Sequence, residues 1–163
     1  MPPCFDRMPT TMMTISTRSL LVASLLAGAA FSALAQATPA GLWKTIDDST
    51  KKEKSLVRIV ESSGVFSGKV EKFLDPATAA DSVCKDCSDE RKDKPILGMT
   101  IVRDVKASTD DKMVFEGGDI LDPNNGKVYR VKVKLVDGGA KLEVRGYIGT
   151  PMLGRTQTWI RVE

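Results

Sequence analysis

From residue 129 onward the chain alternates. Tyr129, Val131, Val133 and Leu135 take every second position, and Arg130, Lys132 and Lys134 fill the gaps. Successive side chains of an extended strand point to opposite faces of a sheet, so this run predicts a half-buried strand. Leu142, Val144, Gly146 and Ile148 repeat the pattern against Lys141, Glu143, Arg145 and Tyr147. Between the two runs, Asp137-Gly138-Gly139 offers residues suited to the positive φ of a tight hairpin. The same reading predicts strands over 41–47, 54–61, 64–73, 98–106, 112–121, 127–136, 140–148 and 155–162. Most junctions carry turn chemistry, as in Ser62-Ser63-Gly64 and Asp122-Pro123-Asn124-Asn125-Gly126. Short strands at hairpin spacing predict an all-β meander, closed as an eight-stranded antiparallel up-and-down barrel or stacked as a sandwich. Residues 74–95 stand apart as a long polar connection holding Cys84 and Cys87. Loops of that length are functional or mobile.

The N-terminal part has another pattern. Arg18 precedes an apolar run from Leu20 to Phe31, followed by Ala33-Leu34-Ala35. A positive charge, a short apolar stretch and small residues form an export signal, with cleavage expected after Ala35. The run is too short to span a bilayer, which needs about 20 apolar residues. Residues ahead of Met12 or Met13 read as an upstream start-site extension. The expected division is an extension and leader over 1–35 and one barrel domain over 36–163, periplasmic or secreted, with no transmembrane span after cleavage. Cleavage would take two of the 24 basic and one of the 21 acidic residues, lowering the formal charge from +3 to +2. So balanced a charge gives no argument for nucleic acid.

Gly41-Leu42-Trp43 opens the first expected strand and Trp159-Ile160-Arg161 closes the last. A guanidinium can lie flat on an indole and donate to backbone carbonyls, joining first strand to last and removing an open sheet edge. Gly41, Trp43, Trp159 and Arg161 are therefore expected to form a structural clasp.

The runs Gly117-Gly118-Asp119-Ile120-Leu121-Asp122-Pro123-Asn124-Asn125-Gly126-Lys127-Val128-Tyr129 and Arg145 to Arg161, with Gly41-Leu42-Trp43 and Pro95-Ile96-Leu97-Gly98, resemble the hallmark segments of an exported bacterial family known as domain of unknown function 2147. The resemblance spans essentially all of residues 36–163. It implies a lipocalin-like, calycin-type barrel and carries no catalytic set. The insert from Phe73 to Lys94 departs from that pattern.

Candidate chemistry is sparse. Cys84-Lys85-Asp86-Cys87 in an oxidising envelope is expected to be a local disulfide. A redox dithiol is the sharper alternative, but no strand-helix context supports it. Two thiolates alone do not make a zinc site, and the chain has no His. Without His, the side chain best suited to acid-base work near neutrality is missing, and no Ser-His-Asp or Cys-His set can form. The expectation is a protein without catalysis, metal or cofactor. Arg130, Lys132 and Lys134 with Arg145 and Lys141 make a cationic stripe, expected to be a solvated outer face. A barrel of this size can enclose one small ligand. The leading expectation is a small, largely apolar molecule in the interior, with Tyr129, Val131, Val133, Val144 and Tyr147 as candidate contacts. The alternative is an envelope protein-protein interaction or inhibitor module, working through the 73–94 loop and the Gly149 to Gly154 turn.

Overall fold

Each alternating run folds as a strand, and each strand pairs with its neighbour in sequence. The computed structural model describes residues 38–163, so the leader and its expected cleavage after Ala35 lie outside the described residues. The strands are β1 (Gly41–Ile46), β2 (Glu53–Ser62), β3 (Val65–Phe73), β4 (Thr100–Ala107), β5 (Val114–Asp122), β6 (Lys127–Val136), β7 (Lys141–Tyr147) and β8 (Arg155–Arg161). They form a closed antiparallel barrel in the order β1 to β8, with β8 returning to β1.

Two strands, β4 and β5, start two residues later than the alternation predicts. At β4, Met99 N donates to Ile96 O at 3.0 Å and holds the chain in a turn until Thr100. At β5, Met113 N donates to the Asp111 carboxylate and Val114 N to its carbonyl, so strand geometry begins only at Val114. The β6–β7 hairpin turns at Asp137–Gly139, all three residues at positive φ (52°, 64° and 91°), closed by Ala140 N donating to Asp137 O.

Alternation sets the two faces of the wall. Val131, Val133 and Leu135 of β6 and Leu142 and Val144 of β7 are buried in the core, whereas Arg130 and Lys134 are exposed. The cationic stripe is thus outside, where Lys132 meets Glu116 at 3.4 Å and Lys141 meets Asp137 at 2.6 Å. Among the described residues, no helix is long and apolar enough to cross a membrane.

Closure of the barrel uses the residues that bracket the sequence. Trp43 pairs with Arg161 across β1 and β8, and the Arg161 guanidinium lies 4.2 Å from the Trp43 ring centroid. Its three nitrogens donate to three carbonyls: Nε to Gly139 at 2.6 Å, Nη1 to Ala40 at 2.8 Å and Nη2 to Thr38 at 2.7 Å. The Trp43 indole donates to Pro39 O at 2.7 Å. Gly41 is glycine for a reason of space. Its φ is +136°, and a Cβ there would stand 2.4 Å from the Glu163 carbonyl oxygen.

Candidate functional site

The two ends of the barrel are filled differently. At the clasp end the inward positions carry Trp43, Phe66, Phe115, Leu135 and Leu142, all buried. Phe66 and Phe115 meet edge to face with centroids 5.1 Å apart, a favourable aromatic geometry. Towards the opposite end, inward positions become small or polar, and a cavity of about 250 Å³ opens there. Trp159, Val144 and Leu121 give it an apolar floor, and Thr45, Ser55 and Gln157 contribute polar wall. Gly146 helps keep it open: a Cβ added there would meet Tyr129 and Ile120 only at 3.5 and 3.6 Å. A longer side chain at that position would therefore occupy the cavity.

The charges around this mouth are already paired. Lys54 Nζ contacts the Asp75 carboxylate at 2.8 Å. Arg155 pairs with Asp48 and donates to Ser49 Oγ at 2.7 Å, tying the β1–β2 loop to the start of β8. Asp122 accepts from the Asn124 amide at 3.0 Å and from both Asn124 and Asn125 side chains. The Asp47 carboxylate accepts from Thr50 and Ser49, and those hydrogen bonds, Thr50 first, draw its pKa below the ordinary carboxylate value. Neutral groups remain: the Thr45 and Ser55 hydroxyls 2.9 Å apart, the Tyr129 hydroxyl 3.3 Å from Asn125 Nδ2, and Gln157, whose Oε1 accepts from the Trp159 indole at 3.2 Å. Gln157 thus keeps both amide N–H groups for a guest.

The candidate contacts named from the sequence divide three ways. Tyr129 and Val144 line the cavity. Val131 and Val133 point inward but belong to the packed core, at 0% and 2% exposure, and do not reach the cavity wall. Tyr147 is a correction. Three residues from Val144, it falls on the opposite face of β7 and lines an outer groove with Arg130 and Asp119. The clasp divides as well, for Trp43 stacks with Arg161 while Trp159 turns its ring to the cavity floor. Thr45, Ser55 and Gln157 were not singled out, though each lies two residues from a buried position of its own strand: Trp43, Val57 and Trp159.

The long connection is folded and not slack. Cys84 and Cys87 form the expected disulfide. Both cysteines are buried, at 0% and 2% exposure. Thiol-disulfide exchange needs a thiolate to reach a sulfur, and both cysteines here are covered. The loop backbone lies so close to the β5–β6 turn that a Cβ on Gly126 would come within 1.9 Å of Asp86 O. Val83 and Pro95 form an isolated bridge. Arg91, only 5% exposed, donates through Nε to both oxygens of Asp89 and through Nη1 to Thr100 O at 3.2 Å.

That pairing makes the loop acid-sensitive. The Arg91 hydrogen bonds hold the Asp89 carboxyl down at about 2, against an ordinary value near 3.9. A folded-state pKa below the unfolded one contributes stability that is present above the unfolded value and lost as pH falls through the folded value. The protection of the Lys92 to Lys94 amides relative to free peptide is expected to fall between about pH 4 and pH 2, and Asp89→Asn should remove that step while leaving protection low at neutral pH.

Comparison with known proteins follows the same outline. The profile of a family described as an uncharacterized protein conserved in bacteria, DUF2147, matches residues 41–161. Among solved structures, the chain is similar to HP1028 from Helicobacter pylori, described as belonging to the lipocalin family, with a TM-score of 0.64 and 24% identity over 76% of this chain and 82% of that one. At that identity the likeness speaks for the barrel fold alone. No curated protein matches significantly.

Proposed function

The chain belongs to the bacterial DUF2147 family, and on that premise we propose that it is an exported, lipocalin-like binding protein, periplasmic or secreted, that holds one small molecule in the mouth of its barrel. The observation that carries this reading is the cavity of about 250 Å³ with an apolar floor, a neutral polar wall and charges already paired. A cavity of about 150 Å³ accepts benzene, so the guest is benzene plus a few atoms. A long acyl chain does not fit whole. The guest has an apolar body over Trp159 and Val144 and one neutral hydrogen-bonding end facing Gln157 and Tyr129. An anionic guest would have to draw Arg155 from Asp48 or Lys54 from Asp75, exchanging one ion pair for another at no gain. Binding without turnover suits the same residues, because hydrogen bonds, from Thr50 and Lys54 first, draw the Asp47 and Asp75 carboxyls below their ordinary pKa and the chain has no His.

The test is a titration of the purified protein with p-cresol, benzoate and palmitate, followed by tryptophan fluorescence, since Trp159 lies on the cavity floor. p-Cresol is expected to bind, benzoate of similar size at least about tenfold more weakly, and palmitate not at all. Gly146→Leu should abolish the response while the protein keeps its melting temperature. Stoichiometric palmitate binding, or p-cresol binding unchanged in Gly146→Leu, would overturn the assignment. So would a protein that carries no small molecule from its native host and answers none of the probes.

A further inference from the structure

The three most exposed large apolar side chains of the described residues lie on one turn beside the mouth: Met152 at 89%, Leu153 at 83% and Ile148 at 65%. From Gly146 to Gly154 the sequence carries no charge, and Arg145 and Arg155 stand at its two ends. We propose that this β7–β8 turn is a prong that inserts into the surface of an anionic phospholipid leaflet.

Pairing of the tip carbonyls, Thr150 to Met152, favours the surface of a lipid leaflet as the occupant. A polar backbone group placed in hydrocarbon must find its partner within the protein. Thr150 O accepts from Leu153 N at 3.2 Å and Pro151 O from Gly154 N at 3.1 Å. Arg145 adds to these, its Nε donating to Pro151 O at 2.6 Å and its Nη2 to Met152 O at 3.3 Å, while Nη1 donates to Thr156 Oγ1 at 2.7 Å. The guanidinium therefore fixes the turn from below, with no carboxylate partner among the described residues, and its charge faces the level of the headgroups. Arg155, which shares Asp48, is 64% exposed at the other base.

Area also decides between occupants. Each partner in a stable protein pair contributes roughly 800 Å², more than three side chains supply, whereas a leaflet surface is reversibly held by a few apolar groups flanked by cations. The prong stands beside the cavity, since Gly146 and Arg155 line both. Docking would thus turn the mouth toward the leaflet. Membrane docking does not depend on what the cavity holds, and its test contains no ligand.

The experiment is co-sedimentation of the purified protein with vesicles of phosphatidylcholine and phosphatidylglycerol. Wild type is expected to partition onto them, and M152S/L153S at least tenfold less, because both side chains are solvent-exposed and their loss leaves the fold intact. V60S/V162S, which removes exposed apolar groups at the clasp end, should partition as wild type does. Equal partition of M152S/L153S and wild type, or no partition of wild type, overturns the proposal. So does vesicle-free self-association that M152S/L153S removes, which would assign the prong to a second copy of the chain.

Discussion

Trp43→Ala is expected to lower the melting temperature by on the order of 10–20 °C while leaving affinity for a cavity ligand unchanged in the protein that remains folded. Trp43 is fully buried and pairs with Val57 on one side and Arg161 on the other. Truncation to Ala would open a cavity at the seam, costing about 3–5 kcal/mol by analogy with buried aromatic truncations. It would also strip the Arg161 guanidinium of its aromatic face and leave Pro39 O without the indole donor. The surrounding Val57 and Leu142 lie on a closed wall and have little freedom to collapse inward, which places the cost at the upper part of that range. Trp43→Phe separates the contributions. It keeps most of the buried area and loses the 2.7 Å hydrogen bond to Pro39, so it should cost only about 1–2 kcal/mol. Trp43 is absent from the cavity wall. A Trp43→Ala protein that melts as wild type does and has lost a cavity ligand would refute the clasp.

The strands were legible because alternation with a period of two survives wherever one face of a strand is packed and the other is wet. Lys132 between Val131 and Val133 states both faces in three residues. The clasp was legible for a different reason: Gly41 tolerates the approach of the Glu163 carbonyl only because it has no Cβ, and that requirement leaves a visible Gly-x-Trp. The cavity was legible only in part. Alternation tells which way a side chain points but not which inward positions border the cavity, for Val144 lines it while its cross-strand partner Val133 is packed in the core. Thr45, Ser55 and Gln157 share the parity of Trp43, Val57 and Trp159, yet polar residues in a strand ordinarily mark the outer face. They turn inward here because each stands two residues from an inward side chain of its own strand. The order of the long connection was illegible, since it rests on Arg91 reaching Thr100 from a segment whose charges read as solvated.

Arg161→Ala should cost about 2–4 kcal/mol, and the loss should be nearly independent of salt concentration. The side chain ties together segments far apart in sequence, at Thr38, Ala40 and Gly139, through three charge-assisted hydrogen bonds. Each such bond contributes about 1.5–3 kcal/mol when fully shielded. The site is half-buried, so water would reach part of what Ala leaves behind, and the three do not add in full. Burial acts against the clasp as well, drawing the Arg161 pKa below its ordinary value, and the carbonyl contacts and the Trp43 face must offset that desolvation. Because its partners among the described residues are carbonyl dipoles and a ring and none is a carboxylate, they offer no ion pair for salt to screen. Arg161→Lys tests the geometry. An ammonium retains the charge but cannot present three donors in a plane to three separated carbonyls while lying flat on an indole. It should therefore recover less than half of the stability lost in Arg161→Ala, as measured by urea denaturation at low and at high salt. Full recovery by Lys, or a loss that shrinks steeply with salt, would mean that charge and not the fork joins β8 to β1.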